Sequence, residues 1–288
     1  MKKAFFKLHL SILLAGFTGL FGKLISLNEG LLVWYRMLFA SLLLFLFLAW
    51  KGEPRRLPLA ETLRIAAPGL LLAFHWVFFY GSIKASNVSI GVICFSLVGF
   101  FTAALAPLVD QKRFSFRELA FSLLTVGGLL LIFQLDIRYR TGILLGIVSS
   151  ALCALFTLVN KRIGGNRPSS LLLAYEMLGG FLGLSLVLPL YLSYFPSPRF
   201  WPGAADLGYL VVLSSLCTIG VYLLQIQVLK TISAFTVSLS YNLEPVYSIL
   251  LAMLFLGEAR QLNYAFYIGL TLICLSVGLQ TRTALRAS

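Results

Sequence analysis

Ten mostly apolar runs follow one another along the 288 residues, near 4–26, 31–50, 65–83, 88–109, 118–135, 142–160, 171–194, 207–229, 233–256 and 264–281. A helix needs about 20 such residues to cross roughly 30 Å of hydrocarbon, and in lipid the backbone must satisfy its own hydrogen bonds. The clusters that cut the runs, such as Lys51-Gly52-Glu53-Pro54-Arg55-Arg56 and Asp110-Gln111-Lys112-Arg113, are too short to hold a soluble domain. The chain is therefore expected to be an all-α integral membrane protein with ten transmembrane helices, and its first partner is the lipid bilayer. Composition agrees, with 59% hydrophobic and 11% charged residues against about 25% charged in a soluble domain. The first run, behind Met1-Lys2-Lys3, resembles a secretory signal. Lys7 and His9 interrupt it, and it has a counterpart later in the chain, so it reads as a span.

The net charge of +13 invites a nucleic-acid reading, but its distribution argues for topology. Cytoplasmic loops retain Lys and Arg. One set of alternate loops and tails holds sixteen of these residues, among them Lys2, Lys3, Arg55, Arg56, Lys112, Arg113, Lys161, Arg162, Arg167 and Lys230. The other holds five: Lys84, Arg138, Arg140, Arg199 and Arg260. Both termini are expected in the cytoplasm, with no nucleic-acid partner. Lys7, Lys23 and Lys84 stand near span ends, where they can snorkel.

The chain also repeats. Trp34-Tyr35-Arg36-Met37-Leu38 in span 2 reads against Ala174-Tyr175-Glu176-Met177-Leu178 in span 7. Ile83-Lys84-Ala85-Ser86 reads against Leu229-Lys230-Thr231-Ile232, and Lys23 against Lys161. These pairings join span n to span n+5, and five is odd, so the second half enters the membrane upside down. Two inverted five-helix repeats, 1–140 and 141–288, are expected, an architecture of secondary transporters whose solute site lies near the midplane.

Depth then sorts the polar groups, because a charge at the bilayer centre costs about 2.5–3.5 kcal/mol on insertion scales. Arg36 and Glu176 lie about five residues into their spans, roughly 8 Å deep at 1.5 Å per residue. Each reads as a gate or vestibule residue or as an interfacial anchor. Glu244 lies near the middle of span 9, followed by Pro245, which lacks an N–H and frees a carbonyl upstream. In the Lys84/Lys230 register Gly99 of span 4 stands opposite Pro245, and paired Gly/Pro interruptions point to a transporter site. Tyr241, Asn242 and Glu244 offer a phenol, an amide and a carboxyl at one depth. A carboxyl there is a candidate solute ligand and proton carrier, or a protonated group bonded to a neighbouring helix. His75, with Trp76 and Tyr80 after it, is midplane too, and reads as a proton relay or a hydrogen-bonded core residue. Tyr222 and Gln225 in span 8, and Ser96 beside Gly99, complete the expected solute-binding set. By this scale no cation reaches the midplane, so phosphates are not expected as solutes.

Other chemistry is not signalled. HExxH, GxSxG, GxxxxGK[ST] and GxGxxG do not occur, so no catalytic residue, metal ligand or cofactor is expected. Cys94, Cys153, Cys217 and Cys274 lack ligand spacing and read as buried free thiols. Gly142/Gly146 and Gly179/Gly183 are small-xxx-small pairs expected to pack helices within one chain. The oligomeric state is not readable.

Leu243-Glu244-Pro245-Val246 with Leu256-Gly257-Glu258, His75-Trp76 ahead of Ile83-Lys84-Ala85-Ser86, Tyr35-Arg36-Met37-Leu38-Phe39-Ala40 and Gly142 together resemble the drug/metabolite transporter superfamily, specifically its EamA-type members. The first repeat departs from that pattern at Pro107-Leu108-Val109-Asp110-Gln111. The resemblance implies a carrier that exports a small organic solute, such as an amino acid, across a bacterial inner membrane. With the residues above, the expected mechanism is alternating access to a cavity lined by spans 3, 4, 8 and 9, with Glu244 and then His75 as proton-coupling candidates. The rivals are an uncoupled facilitator or exchanger, a multidrug efflux carrier and, outside transport, an intramembrane receptor or scaffold.

Overall fold

A computed structural model of the protein describes residues 2–52, 57–110, 139–164, 167–257 and 264–287, with residues 116, 119–120, 123–124, 126–128, 131 and 259. The described elements are all helical: α1 (Lys2–Leu24), α2 (Glu29–Trp50), α3 (Leu59–Ala85), α4 (Val88–Cys94), α5 (Val98–Asp110), α6 (Arg140–Gly164), α7 (Ser169–Tyr194), α8 (Ala204–Ser214), α9 (Val221–Leu229), α10 (Ala234–Ser240), α11 (Glu244–Leu256) and α12 (Tyr264–Ala287). Among the described residues, seven segments are long and apolar enough to cross a membrane: Lys3–Leu24, Glu29–Trp50, Leu59–Ala85, Val88–Val109, Arg140–Ile163, Ser169–Tyr194 and Ala204–Leu229. They match seven of the expected runs. Of the run at 118–135, residues 119–120, 123–124, 126–128 and 131 are described. Leu46, Leu186 and Leu254 stand 65–85% exposed on the outside of the bundle, as lipid-facing side chains should in a multi-pass membrane protein.

Most helices begin earlier than the apolar runs, because polar first turns belong to them. Asn28 caps α2, its side chain accepting from Leu31 N at 2.9 Å, and Glu29 stands in the first turn, where a carboxylate meets the positive end of the helix dipole. Asn87, part of an Asn-Val-Ser sequon, likewise caps α4 by accepting from Ile90 N and is buried. Two spans are broken. A 3-10 turn at Phe95–Leu97 separates α4 from α5, and another at Tyr241–Leu243 separates α10 from α11. The two turns correspond residue for residue in the Lys84/Lys230 register. Pro245 sits in the first turn of α11, where its missing N–H costs nothing. A third irregularity, a π-helical stretch at Ser215–Gly220, joins α8 to α9.

The halves are interleaved. α3 packs chiefly against α6 and α7, α2 against α7, and α1 against α9 and α11. The α3–α7 seam is backbone on backbone: a Cβ at Gly69 would lie 1.8 Å from the Glu176 carbonyl oxygen, and one at Gly179 would lie 2.2 Å from that of Ala66. Gly142 and Gly146 of α6 make room for the side chains of Ser86, Ser82 and Cys94, so both small-residue pairs face neighbours in the same chain.

Each end of α3 carries a polar clasp between the halves. At its C-terminal end, Lys84 donates to the Leu27 carbonyl, and the Asp206 carboxylate accepts from Ser26 N at 2.8 Å and Ser26 Oγ at 2.6 Å. At its N-terminal end, Lys230 donates to the Arg167 carbonyl, while Arg167 Nε donates to Glu61 at 2.7 Å and its Nη2 makes an ion pair with the same carboxylate. Lys84 corresponds to Lys230, and Leu27 to Arg167 in the register that pairs Arg36 with Glu176. The repeat seen in the sequence is thus a repeat of hydrogen bonds.

Candidate functional site

The broken helices meet α1, α2, α3, α6 and α9 around an internal cavity with about 30 Å³ of free space. That admits a water or two, far below the roughly 300–1,000 Å³ of a solute pocket, so a solute requires the helices to part. Ala15 and Cys153, Trp76 and Tyr222, Phe79 and Gln225, Phe95 and Tyr241, and Val98 and Glu244 all line it. Each of these is a pair of corresponding positions in the two halves. The cavity therefore lies where the repeats mirror one another, while its chemistry is unequal. The first half gives Phe79 and Val98 where the second gives Gln225 and Glu244.

Arg36 supplies the opposite charge. Fully buried, its guanidinium donates from Nε to Thr218 Oγ1 at 2.7 Å, from Nη1 to the Tyr80 hydroxyl at 2.7 Å and from Nη2 to the Cys217 carbonyl at 2.9 Å. Its Cζ lies 3.6 Å from the centroid of Trp76, close enough for a cation–π contact. Thr218 and Cys217 belong to the π-helical stretch, whose irregular winding turns a backbone carbonyl toward the cation. Arginine has five N–H donors; three are held, and one on each Nη is left. Glu244 lines the same cavity, buried, with no ion pair to Arg36. One fixed cation and one carboxyl thus share an aromatic-walled space without a direct ion pair between them.

The surrounding groups are held by single, specific bonds. His75 Nδ1 lies 3.0 Å from the Ser149 carbonyl and 2.8 Å from Ser149 Oγ, while Ser149 Oγ donates to the His75 carbonyl. A carbonyl only accepts, so Nδ1 carries the hydrogen in this contact. The Tyr241 hydroxyl donates to Ser11 Oγ of α1 at 3.0 Å. Thr102 Oγ1 donates to Ser238 Oγ at 3.0 Å, tying α5 to α10.

Of the residues expected from sequence, His75, Trp76, Tyr222, Gln225, Tyr241 and Glu244 line this cavity. Tyr80 lies behind Arg36 as its hydrogen-bond partner, and Ser96 Oγ is buried without a partner among the described residues. Gly99 and Pro245 flank the turns in the first turns of α5 and α11. The Asn242 side chain lies outside the described residues. Glu176 is buried away from the cavity and accepts from Asn160 Nδ2 at 2.7 Å. Arg36 corrects the expected depth: α2 begins at Glu29, which puts Arg36 two turns in, and its long side chain reaches further inward. The expectation that no cation reaches the centre fails with it. Thr18 on α1 and Cys153 and Thr157 on α6 add spans 1 and 6 to the lining; small polar residues in Leu-rich helices carry no signal that separates lining from packing. Among the described residues no group of three His, Cys, Asp or Glu could hold a metal.

A solved crystal structure is similar over 100% of this chain and 99% of its own length, with a TM-score of 0.73 at 18% identity; at that identity the likeness is one of fold. No curated protein matches. The sequence profile of the EamA-like transporter family matches twice, over residues 2–134 and 140–282, which covers both halves and every cavity residue named above. The chain belongs to the EamA-like transporter family.

Proposed function

We propose that the protein is a secondary carrier of zwitterionic organic solutes, amino acids with apolar or aromatic side chains among them. In this reading ten helices form two inverted five-helix repeats in the cytoplasmic membrane, with both termini inside. Export by alternating access follows the family resemblance. The observation that carries the reading is that Arg36 and Glu244 line one cavity unpaired. The two spare N–H groups of Arg36 suit a carboxylate, Glu244 suits an ammonium group, and Trp76, Phe79, Phe95 and Tyr222 suit an apolar or aromatic side chain. Partly closing the charge separation on binding would give the solute an interaction that free water-filled space lacks.

The test is flux in liposomes holding the purified protein, with labelled tryptophan, phenylalanine and leucine, and with analogues lacking either the amino or the carboxylate group. Uptake or release of the zwitterions, lost in Arg36→Gln and Glu244→Gln, is the expected result. No flux of any solute by folded, inserted protein would overturn it. Flux without response to a pH gradient would identify the uncoupled exchanger.

A further inference from the structure

We infer that Glu176, with Asn160, forms a proton-binding site separate from the central cavity. The carboxyl is 1% exposed. Oε1 accepts from Asn160 Nδ2 at 2.7 Å, and Oε2 has no partner among the described residues. Charged groups on the elements around α7 are engaged elsewhere. On α2, Arg36 is held by Thr218, Tyr80 and the Cys217 carbonyl, Glu29 accepts from Tyr191, and Lys51 lies over Phe47. On α3, Glu61 is bound by Arg167, Arg64 is exposed, His75 is held by Ser149, and Lys84 donates to Leu27. At the end of α6, Lys161 donates to the Leu229 and Ile232 carbonyls and Arg162 to that of Val109. At the end of α9, Lys230 donates to the Arg167 carbonyl.

An ionised carboxylate with one neutral donor and no cation would carry most of its desolvation cost uncompensated. The arrangement fits the acid form, with Oε1 as the accepting carbonyl oxygen and the hydrogen on Oε2. Release breaks that O–H bond and passes the proton to water, which needs the helices around Glu176 to open. The site has a route to the cavity: Asn160 follows Thr157, a cavity residue, by one turn of α6. It also has a mechanical link, because the Glu176 backbone is the surface on which Gly69 of α3 rests. A charge appearing there falls in the α3–α7 seam. Use of this proton for coupling rests on the carrier reading; the existence of the site does not.

The test needs no solute. Infrared difference spectra of the purified protein in lipid, between acidic and alkaline buffer, should show a protonated-carboxyl C=O band that vanishes at alkaline pH. Glu176→Gln should delete that band and Glu244→Gln should leave it. Asn160→Ala, which keeps the carboxyl and removes the bond to its C=O, should move the band to higher frequency and also reads out the site if Glu176→Gln fails to fold. A titrating band unmoved by both variants at Glu176 and Asn160, or a Glu176 band that ignores pH, would overturn the inference. No flux of any solute by wild-type protein that shows the titrating band would count against the carrier reading instead.

Discussion

Arg36 concentrates the physical problem of this protein in one side chain. Its guanidinium stays charged in any protein environment, and here it is buried with three fixed acceptors and a Trp76 face rather than a carboxylate. Those contacts hold the cation in place without consuming its charge. Lysine at this position would keep the charge but lose the fork that reaches Thr218, Tyr80 and Cys217 at once. Arg36→Lys is expected to weaken zwitterion binding by roughly tenfold or more, about 1.4 kcal/mol, as read by quenching of intrinsic fluorescence or by calorimetry. Trp76→Leu removes the cation–π contact and should lower the stability of the purified protein by about 1–2 kcal/mol, measured as a fall in thermal midpoint. The depth of Arg36 was misjudged in the sequence because a Cα level ignores both the early start of α2 and the reach of the side chain. Glu244 was legible because a short carboxyl beside a proline stays near the depth of its backbone.

At the scale of elements, the twin breaks and the glycine seam determine where side chains can meet. The register of Lys84 and Lys230 sets Gly99 opposite Pro245, and the two 3-10 turns lie just ahead of these residues at corresponding positions; a repeat transmits backbone geometry even where side chains diverge. The π-helical stretch at Ser215–Gly220 had no such signal: Ser-Leu-Cys-Thr-Ile-Gly reads as ordinary helix, and the irregularity matters through the Cys217 carbonyl and Thr218 hydroxyl it offers to Arg36. The seam between α3 and α7 makes its own prediction. A Cβ at Gly69 would enter the Glu176 carbonyl, whereas one at Gly208 of α8 meets nothing within 4 Å. Gly69→Ala should therefore destabilise the protein by about 1–3 kcal/mol or more, while Gly208→Ala should leave it unchanged or raise it by up to about 1 kcal/mol through helix propensity. Thermal unfolding of both variants in detergent checks the contrast.

For the whole molecule, the clasps and the cavity describe one state. Asp206 with Ser26 closes one end of α3, Glu61 with Arg167 closes the other, and the space between them is nearly filled. If the halves rock about the cavity, the clasps must release in turn. Cys153 and Cys217 line the cavity as free thiols and report access directly. Asp206→Asn should raise their labelling by an impermeant maleimide from the Ser26 side of oriented membranes, and Glu61→Gln from the Arg167 side; labelling equal from both sides in both variants would refute the clasps as gates. The likeness of the two halves was visible in sequence, but the hydrogen bonds between them were not, because Ser26, Asp206, Glu61 and Arg167 lie in polar turns that look like ordinary loop ends. The proposed function requires a zwitterion to be read by Arg36 and Glu244 together. It is tested most directly by measuring liposome flux of tryptophan beside tryptamine and indole-3-propionate, in wild type, Arg36→Gln and Glu244→Gln. Joint recognition predicts flux of tryptophan alone in wild type and of neither analogue, with each variant losing tryptophan. Equal transport of all three solutes, or tryptophan flux untouched by both substitutions, would contradict it.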